Sequence, residues 1–220
     1  MGRVYELGKA LNNIGTVYQS LHQWGNALAS YEESLKVFEE YDTGQQELYE
    51  QSAFSLFEYT HVDFLKAQTH QNMGALYLTL RKFDLANDFL QKAHAGYTQF
   101  PETEELASIE SNLGRLETER QNPAKALIWL NATLRRYLNF KQMHSQGLIH
   151  LSIGNAYADQ EKSKEAGEAY HQAIKIFLSL SDHYQLSKVR QSLGRLQAEN
   201  GQLEEAHDYL TQSLEGYVAF

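Results

Sequence analysis

Five glycines set the register of this chain: Gly15, Gly74, Gly114, Gly154 and Gly194. The last four are spaced by 40 residues, and the first gap is 59. An apolar residue precedes each one: Ile14, Met73, Leu113, Ile153 and Leu193. Twelve residues after each glycine stands an alanine: Ala27, Ala86, Ala126, Ala166 and Ala206. Sixteen after stands a large side chain (Tyr31, Leu90, Leu130, Tyr170, Leu210), and nineteen after a small one (Ser34, Ala93, Thr133, Ala173, Ser213). A fixed period of this length marks a repeat architecture, in which each unit buries its apolar face against the next.

The pattern reads as helix against helix. Small residues sit where two backbones approach closely, and large ones fill the gaps between turns. Glycine inside a helix costs about 1 kcal/mol relative to alanine, so its recurrence implies that close packing outweighs that cost. Turn signals fall between glycine and alanine: Trp24-Gly25, Phe83-Asp84, Asn122-Pro123, Lys162-Ser163 and Gly201-Gln202. The spacing predicts helix pairs at 3–22/25–41, 62–81/84–98, 102–121/124–139, 143–161/164–180 and 184–200/203–219. Pro101 with Glu102, Glu104 and Glu105 predicts a helix start, the acids lying near the positive end of the dipole.

Composition narrows the function. Lys+Arg 19 minus Asp+Glu 28 gives a net charge of −9, which argues against a general nucleic-acid binder. Cysteine is absent, so disulfides, thiolate metal sites and cysteine nucleophiles are excluded and a reducing compartment is suited. No apolar stretch approaches the ~20 residues of a membrane helix, and Met1 to Glu6 lacks the apolar core of a signal peptide. The expected location is cytoplasmic, and Asn131-Ala132-Thr133 is a chance sequon. The sequence holds no Gly-x-x-x-x-Gly-Lys or Gly-x-Gly-x-x-Gly loop and no His-Glu-x-x-His. His70 and His150 share one register position and read as half-buried packing residues. Carboxylates are spread over helix faces as solvating charge. The expectation is no enzyme, no metal and no cofactor.

The runs Leu11…Ile14-Gly15…Tyr18…Ala27…Tyr31 and Ile153-Gly154…Tyr157…Ala166…Tyr170 resemble the tetratricopeptide repeat (TPR) family. The usual repeat there is about 34 residues. The longer period is similar to the long-helix subtype of kinesin light chain, spindle-orientation adaptors and bacterial sensor or protease-associated arrays. Asn12-Asn13-Ile14-Gly15-Thr16-Val17-Tyr18 reads like the bacterial members. The resemblance implies an all-α, right-handed solenoid forming one domain over 1–220, with repeats at 3–41, 62–98, 102–139, 143–180 and 184–219. Glu117 and Gln197 depart from it, replacing an aromatic after the glycine and predicting looser packing in repeats three and five.

The long first gap leaves an insert near 42–60. Asp42-Thr43-Gly44 is expected to break the second helix, and the remainder suits one additional helix on an outer surface, a hinge exchanging repeat one between protomers, or a lid.

The resemblance places the first helix of each pair on a concave face. Positions three and two before each glycine then form a polar ladder: Asn12/Asn13, Gln71/Asn72, Ser111/Asn112, Ser152 and Gln191/Ser192. Amides offer both donors and acceptors, and so match the backbone of an extended peptide whatever its sequence. A hydrated polar face needing no ligand is the alternative. One residue after the glycine, Arg115 and Arg195 flank Asn155, a basic spot suited to an acidic segment or a C-terminal carboxylate. Intrahelical pairing of Arg115 with Glu119 and Arg195 with Glu199 is the plainer reading of those arginines. The lysine–asparagine clamp of chaperone-binding TPR domains is not reproduced.

The last helix carries Leu210, Leu214, Tyr217, Val218 and Phe220 with no polar cap after it, which predicts self-association or a longer parent chain. The leading expectation is a non-catalytic adaptor holding an extended peptide or partner segment, the basic spot suiting an acidic one. The alternatives are a peptide-sensing regulatory domain of a bacterial signalling system, or an assembly module acting through oligomerisation.

Overall fold

A computed structural model of the chain describes residues 2–49, 56–100 and 103–218. Among these residues every regular element is an α-helix. The order is α1 (Gly2–Ser20), α2 (Trp24–Tyr49), α3 (Leu56–Thr79), α4 (Phe83–Tyr97), α5 (Glu104–Glu119), α6 (Pro123–Asn139), α7 (Met143–Ala158), α8 (Ser163–Ser179), α9 (His183–Glu199) and α10 (Leu203–Val218). The fold is an α-solenoid of helix pairs, odd-numbered helices opening each pair and even-numbered ones closing it. The chain divides into two compact units, Met1–Asn112 and Leu113–Phe220.

Each helix pair turns in the same way, which explains why the sequence signals looked so different from one another. Seven residues after the register glycine, His22, Arg81, Gln121, Glu161 and Gly201 all adopt positive φ. The next backbone N–H reaches back five residues: Gln23 to Tyr18, Lys82 to Tyr77, Asn122 to Glu117, Lys162 to Tyr157 and Gln202 to Gln197, at 2.8–3.0 Å. This Schellman closure satisfies carbonyls that a helix end leaves orphaned. Only Gly201 adopts that backbone at no steric cost. The first helix of each pair therefore stops up to three residues before the predicted end. Trp24-Gly25 and Phe83-Asp84 lie inside the following helix.

The register residues do what their sizes predict. Ala27, Ala86, Ala126 and Ala166 are fully buried, as are Tyr31, Leu90 and Tyr170. A Cβ placed on Gly74 would lie 2.7 Å from Leu90 Cγ, and one on Gly194 would lie 2.8 Å from Leu210 Cγ. Gly15 and Gly154 meet the rings of Tyr31 and Tyr170 still more tightly. In the second unit two core clusters each cross a junction between successive repeats. Leu193 and Leu196 of α9 cluster with Tyr170, Ala173 and Phe177 of α8, and Ile153 and Ala156 of α7 cluster with Leu130 of α6.

The insert departs from expectation. Asp42-Thr43-Gly44 does not end the second helix, because α2 runs on through it to Tyr49. One glycine costs a helix only about 1 kcal/mol, and good helix formers follow it. The α3 helix opens at Leu56, before the predicted 62. The described part of the predicted insert thus belongs to a 26-residue α2 and a 24-residue α3, and residues 50–55 lie outside the described residues. Further along, α5 begins with Glu104 and Glu105 in its first turn, and Pro101 and Glu102 lie outside the described residues.

Candidate functional site

In each unit the opening helices touch one another, α1 against α3 and α7 against α9, so their polar residues share a face. The two units use that face differently.

In the first unit the ladder bonds to itself. Asn72 Nδ2 donates to Asn12 Oδ1 at 2.9 Å, linking α3 to α1. Gln71 Nε2 donates to Ser108 Oγ at 2.9 Å, linking α3 to α5. Asn12 is only 3% exposed, so it is an interhelical strut and not, as its position had suggested, a ligand contact. A buried amide needs such a partner to offset its desolvation. Asn13 is exposed, and Gln71, Asn72, Ser111 and Asn112 are half-exposed.

In the second unit Asn155 and Ser152 bond within their own repeat. Tyr170 Oη donates to Asn155 Oδ1 at 2.8 Å. Burial above all pushes the Tyr170 hydroxyl up to about 12, which keeps it protonated as a donor. Ser152 Oγ donates to Leu148 O of its own helix at 3.0 Å. Arg195 Nε lies 3.8 Å from Glu199 Oε1, the intrahelical pair foreseen from the spacing, with both side chains exposed. Arg115 and Gln191 are exposed, and Ser192 is half-exposed.

The two departures from the aromatic position resolve differently. Gln197 Nε2 donates to Glu205 Oε2 at 2.6 Å, tying α9 to α10. Glu117 is buried, with Oε1 at 3.7 Å from Arg120 Nη1 and Oε2 without a hydrogen-bond partner among the described residues.

The second unit also holds a concavity that the sequence reading did not anticipate. The helices α6, α7 and α8 bound an open groove of about 690 Å³, lined by Asn131, Leu134, His150, Ile153, Tyr157, Glu165, Glu168, Ala169, His171 and Gln172. A smaller groove of about 320 Å³ between α8 and α9 shares Glu168 and His171 with it. Burial lowers the His150 pKa, so the ring facing the groove is a neutral acceptor or donor at neutral pH. His70, its counterpart in the first unit, lies 5.9 Å from the Phe89 ring and is depressed to about 4, by burial first and then by Lys92 and Lys66. The sequence signal for the groove was the pair of acids opening α8, beside a residue already assigned to packing.

Among the described residues no group of three or more His, Asp or Glu side chains is placed to hold a metal, and no helix is long and apolar enough to cross a membrane. On the last helix Leu210, Leu214, Tyr217 and Val218 are exposed, and Phe220 lies outside the described residues.

Tetratricopeptide repeat models match residues 65–139 and 146–217, and a second such model matches 7–41. The chain belongs to the tetratricopeptide repeat family. A search of curated proteins finds no match. Among solved structures, the chain is similar to BtubC (BKLC) from P. vanneervenii, with a TM-score of 0.78 at 18% identity over 99% of this chain and 82% of that one. It is also similar to nearly identical TPR-like repeats of a kinesin light chain from Podosopora anserina (TM-score 0.71, 16% identity, 96% and 95% covered). A Rap protein complexed with competence and sporulation factor gives a TM-score of 0.66 at 16% identity, covering 94% of this chain and 54% of that one. At such identities the likeness concerns the fold.

Proposed function

We propose that this chain is a non-catalytic protein–protein interaction scaffold whose odd-helix faces hold an extended peptide or partner segment. The observation that carries this reading is the second unit's row of Arg115, Ser152, Asn155, Gln191, Ser192 and Arg195. All six remain exposed or half-exposed on α5, α7 and α9. Asn155 bonds to Tyr170 of its own repeat, Ser152 to its own helix and Ser192 to Tyr170 of the preceding repeat, while Arg115 and Gln191 lie exposed with guanidinium and amide groups toward solvent. The arginines favour an acidic segment or a terminal carboxylate. The Rap protein in complex with competence and sporulation factor supports the peptide reading by likeness of fold.

The test is selection of ligands from a displayed peptide library, followed by calorimetry on variants. Arg115→Ala with Arg195→Ala is expected to weaken the selected peptide at least tenfold, about 1.4 kcal/mol. Ile128→Ala, on the exposed face of α6, is expected to leave it unchanged. Equal affinity for all variants would overturn the odd-helix assignment.

A further inference from the structure

The repeat provides its own standard for how buried each position ought to be, and two helices fail it in complementary ways. On α1, Ile14 is 46% exposed and Val17 58%. Their register equivalents in the second unit, Ile153 with Ala156 and Leu193 with Leu196, are at most 5% exposed. Those pairs are seated on the preceding even-numbered helix: Ile153 and Ala156 beside Leu130 of α6, Leu193 and Leu196 beside Tyr170 and Phe177 of α8. On α10, Leu210 is 42% exposed and Leu214 64%. Tyr170, the equivalent of Leu210, is fully buried, and it shares the cluster formed with the following helix. Thus α1 carries the residues with which an opening helix sits on its predecessor, and α10 those with which a closing helix receives its successor.

We propose that these faces pair between copies, α10 of one chain receiving α1 of a second and continuing the repeat packing across the junction. Charge fits the pairing. Four acids (Glu204, Glu205, Asp208, Glu215) and no Lys or Arg give α10 a formal charge of −4. Arg3 and Lys9 against Glu6 give α1 a charge of +1. The exposed apolar positions on both helices recur at helical spacing: Leu7, Ile14 and Val17 on one, Leu210, Leu214 and Tyr217 on the other. Contiguous exposed apolar surface of this kind marks an interface. Because the two patches differ, the contact is heterologous, so each added copy presents a fresh α1 or α10. The inference stands apart from the peptide reading, which concerns the odd-helix faces.

Sedimentation equilibrium of the whole chain tests it, from micromolar to hundreds of micromolar. Mass is expected to rise with concentration beyond that of a dimer. Val17→Glu and Leu214→Glu, both at exposed sites, are each expected to be monomeric with unchanged helicity by circular dichroism. Mixing the two is expected to restore a dimer and nothing larger, since one intact α10 then meets one intact α1. The absence of cysteine allows a second readout. Val17→Cys mixed with Leu214→Cys is expected to give a disulfide-linked pair on oxidation, and neither alone is expected to do so. A wild-type monomer at every concentration would overturn the proposal. So would a dimer that survives in Val17→Glu and vanishes in Leu214→Glu, which would mean a symmetric α10–α10 contact.

Discussion

The first unit bonds amides of its opening helices to one another, and the second turns Asn155 to a tyrosine of its own repeat while Arg115, Gln191 and Arg195 stay exposed. In the first, Asn12 is buried under Asn72, and Gln71 reaches across to Ser108. In the second, Asn155 turns to Tyr170 of its own repeat, and the neighbouring arginines and Gln191 stay open. The same residue type therefore does different work at different register positions, Asn12 and Asn72 three and two before the glycine and Asn155 one after it. An amide between two opening helices is a strut when its neighbour is another amide. It is a free edge when its neighbour is an aromatic hydroxyl from below. Burial lowers the pKa of both His70 and its counterpart His150, and on α3 it also raises that of Asp63 and lowers that of Lys66.

Acid should break this comparison most visibly. The His70 pKa falls from 6.5 to about 4 on folding. Between those values the unfolded chain binds the proton and the folded one does not, so stability falls as pH drops through that window. The loss attributable to His70 is expected to be at most about 3 kcal/mol, read from denaturant unfolding against pH. His70→Gln should flatten the profile, and His150→Gln should change it less.

Packing comes next. Gly154→Ala drives a methyl into the Tyr170 ring and should cost about 2 kcal/mol, after about 1 kcal/mol of recovered helix propensity. Gly167, with open space around its Cβ position, should instead gain up to about 1 kcal/mol when replaced by alanine. Thermal unfolding of the two variants separates them by sign.

The polar rows then divide. Asn72→Ala removes the donor to the buried Asn12 carbonyl and should cost about 1–2 kcal/mol of stability. Gln191→Ala, exposed in the second unit, should cost less than about 0.5 kcal/mol. Equal losses in chemical denaturation would erase the distinction between strut and free edge.

Smaller still, Glu161→Gly should raise stability by about 1 kcal/mol, because its left-handed backbone at φ 59° is strained for any residue with a Cβ. Last, a double-mutant cycle on Arg195 and Glu199 should give about 0.2–0.5 kcal/mol and fade with salt.

Much of the fold was legible because the constraint is local and repeated. A glycine, an alanine twelve residues on and a large residue at sixteen describe one helix crossing another, and the chain states that crossing five times. The turns were harder to place. The residue at positive φ is a glycine only at Gly201, so composition marks one turn of five by its mechanism. Asp42-Thr43-Gly44 misled for the opposite reason: a breaker by composition does not stop a helix whose flanks favour continuing.

The candidate site was legible as a set of positions and not as a set of roles. Spacing within a single repeat is enough to say that helices pair, where their backbones nearly touch, and that polar residues fall in register on the opening helices. Packing between repeats made Asn12 a strut, turned Asn155 to Tyr170, opened a groove between α6 and α8, and left Ile14, Val17, Leu210 and Leu214 uncovered. Those outcomes depend on which side chain of a neighbouring repeat stands opposite, and on whether a neighbour stands there at all.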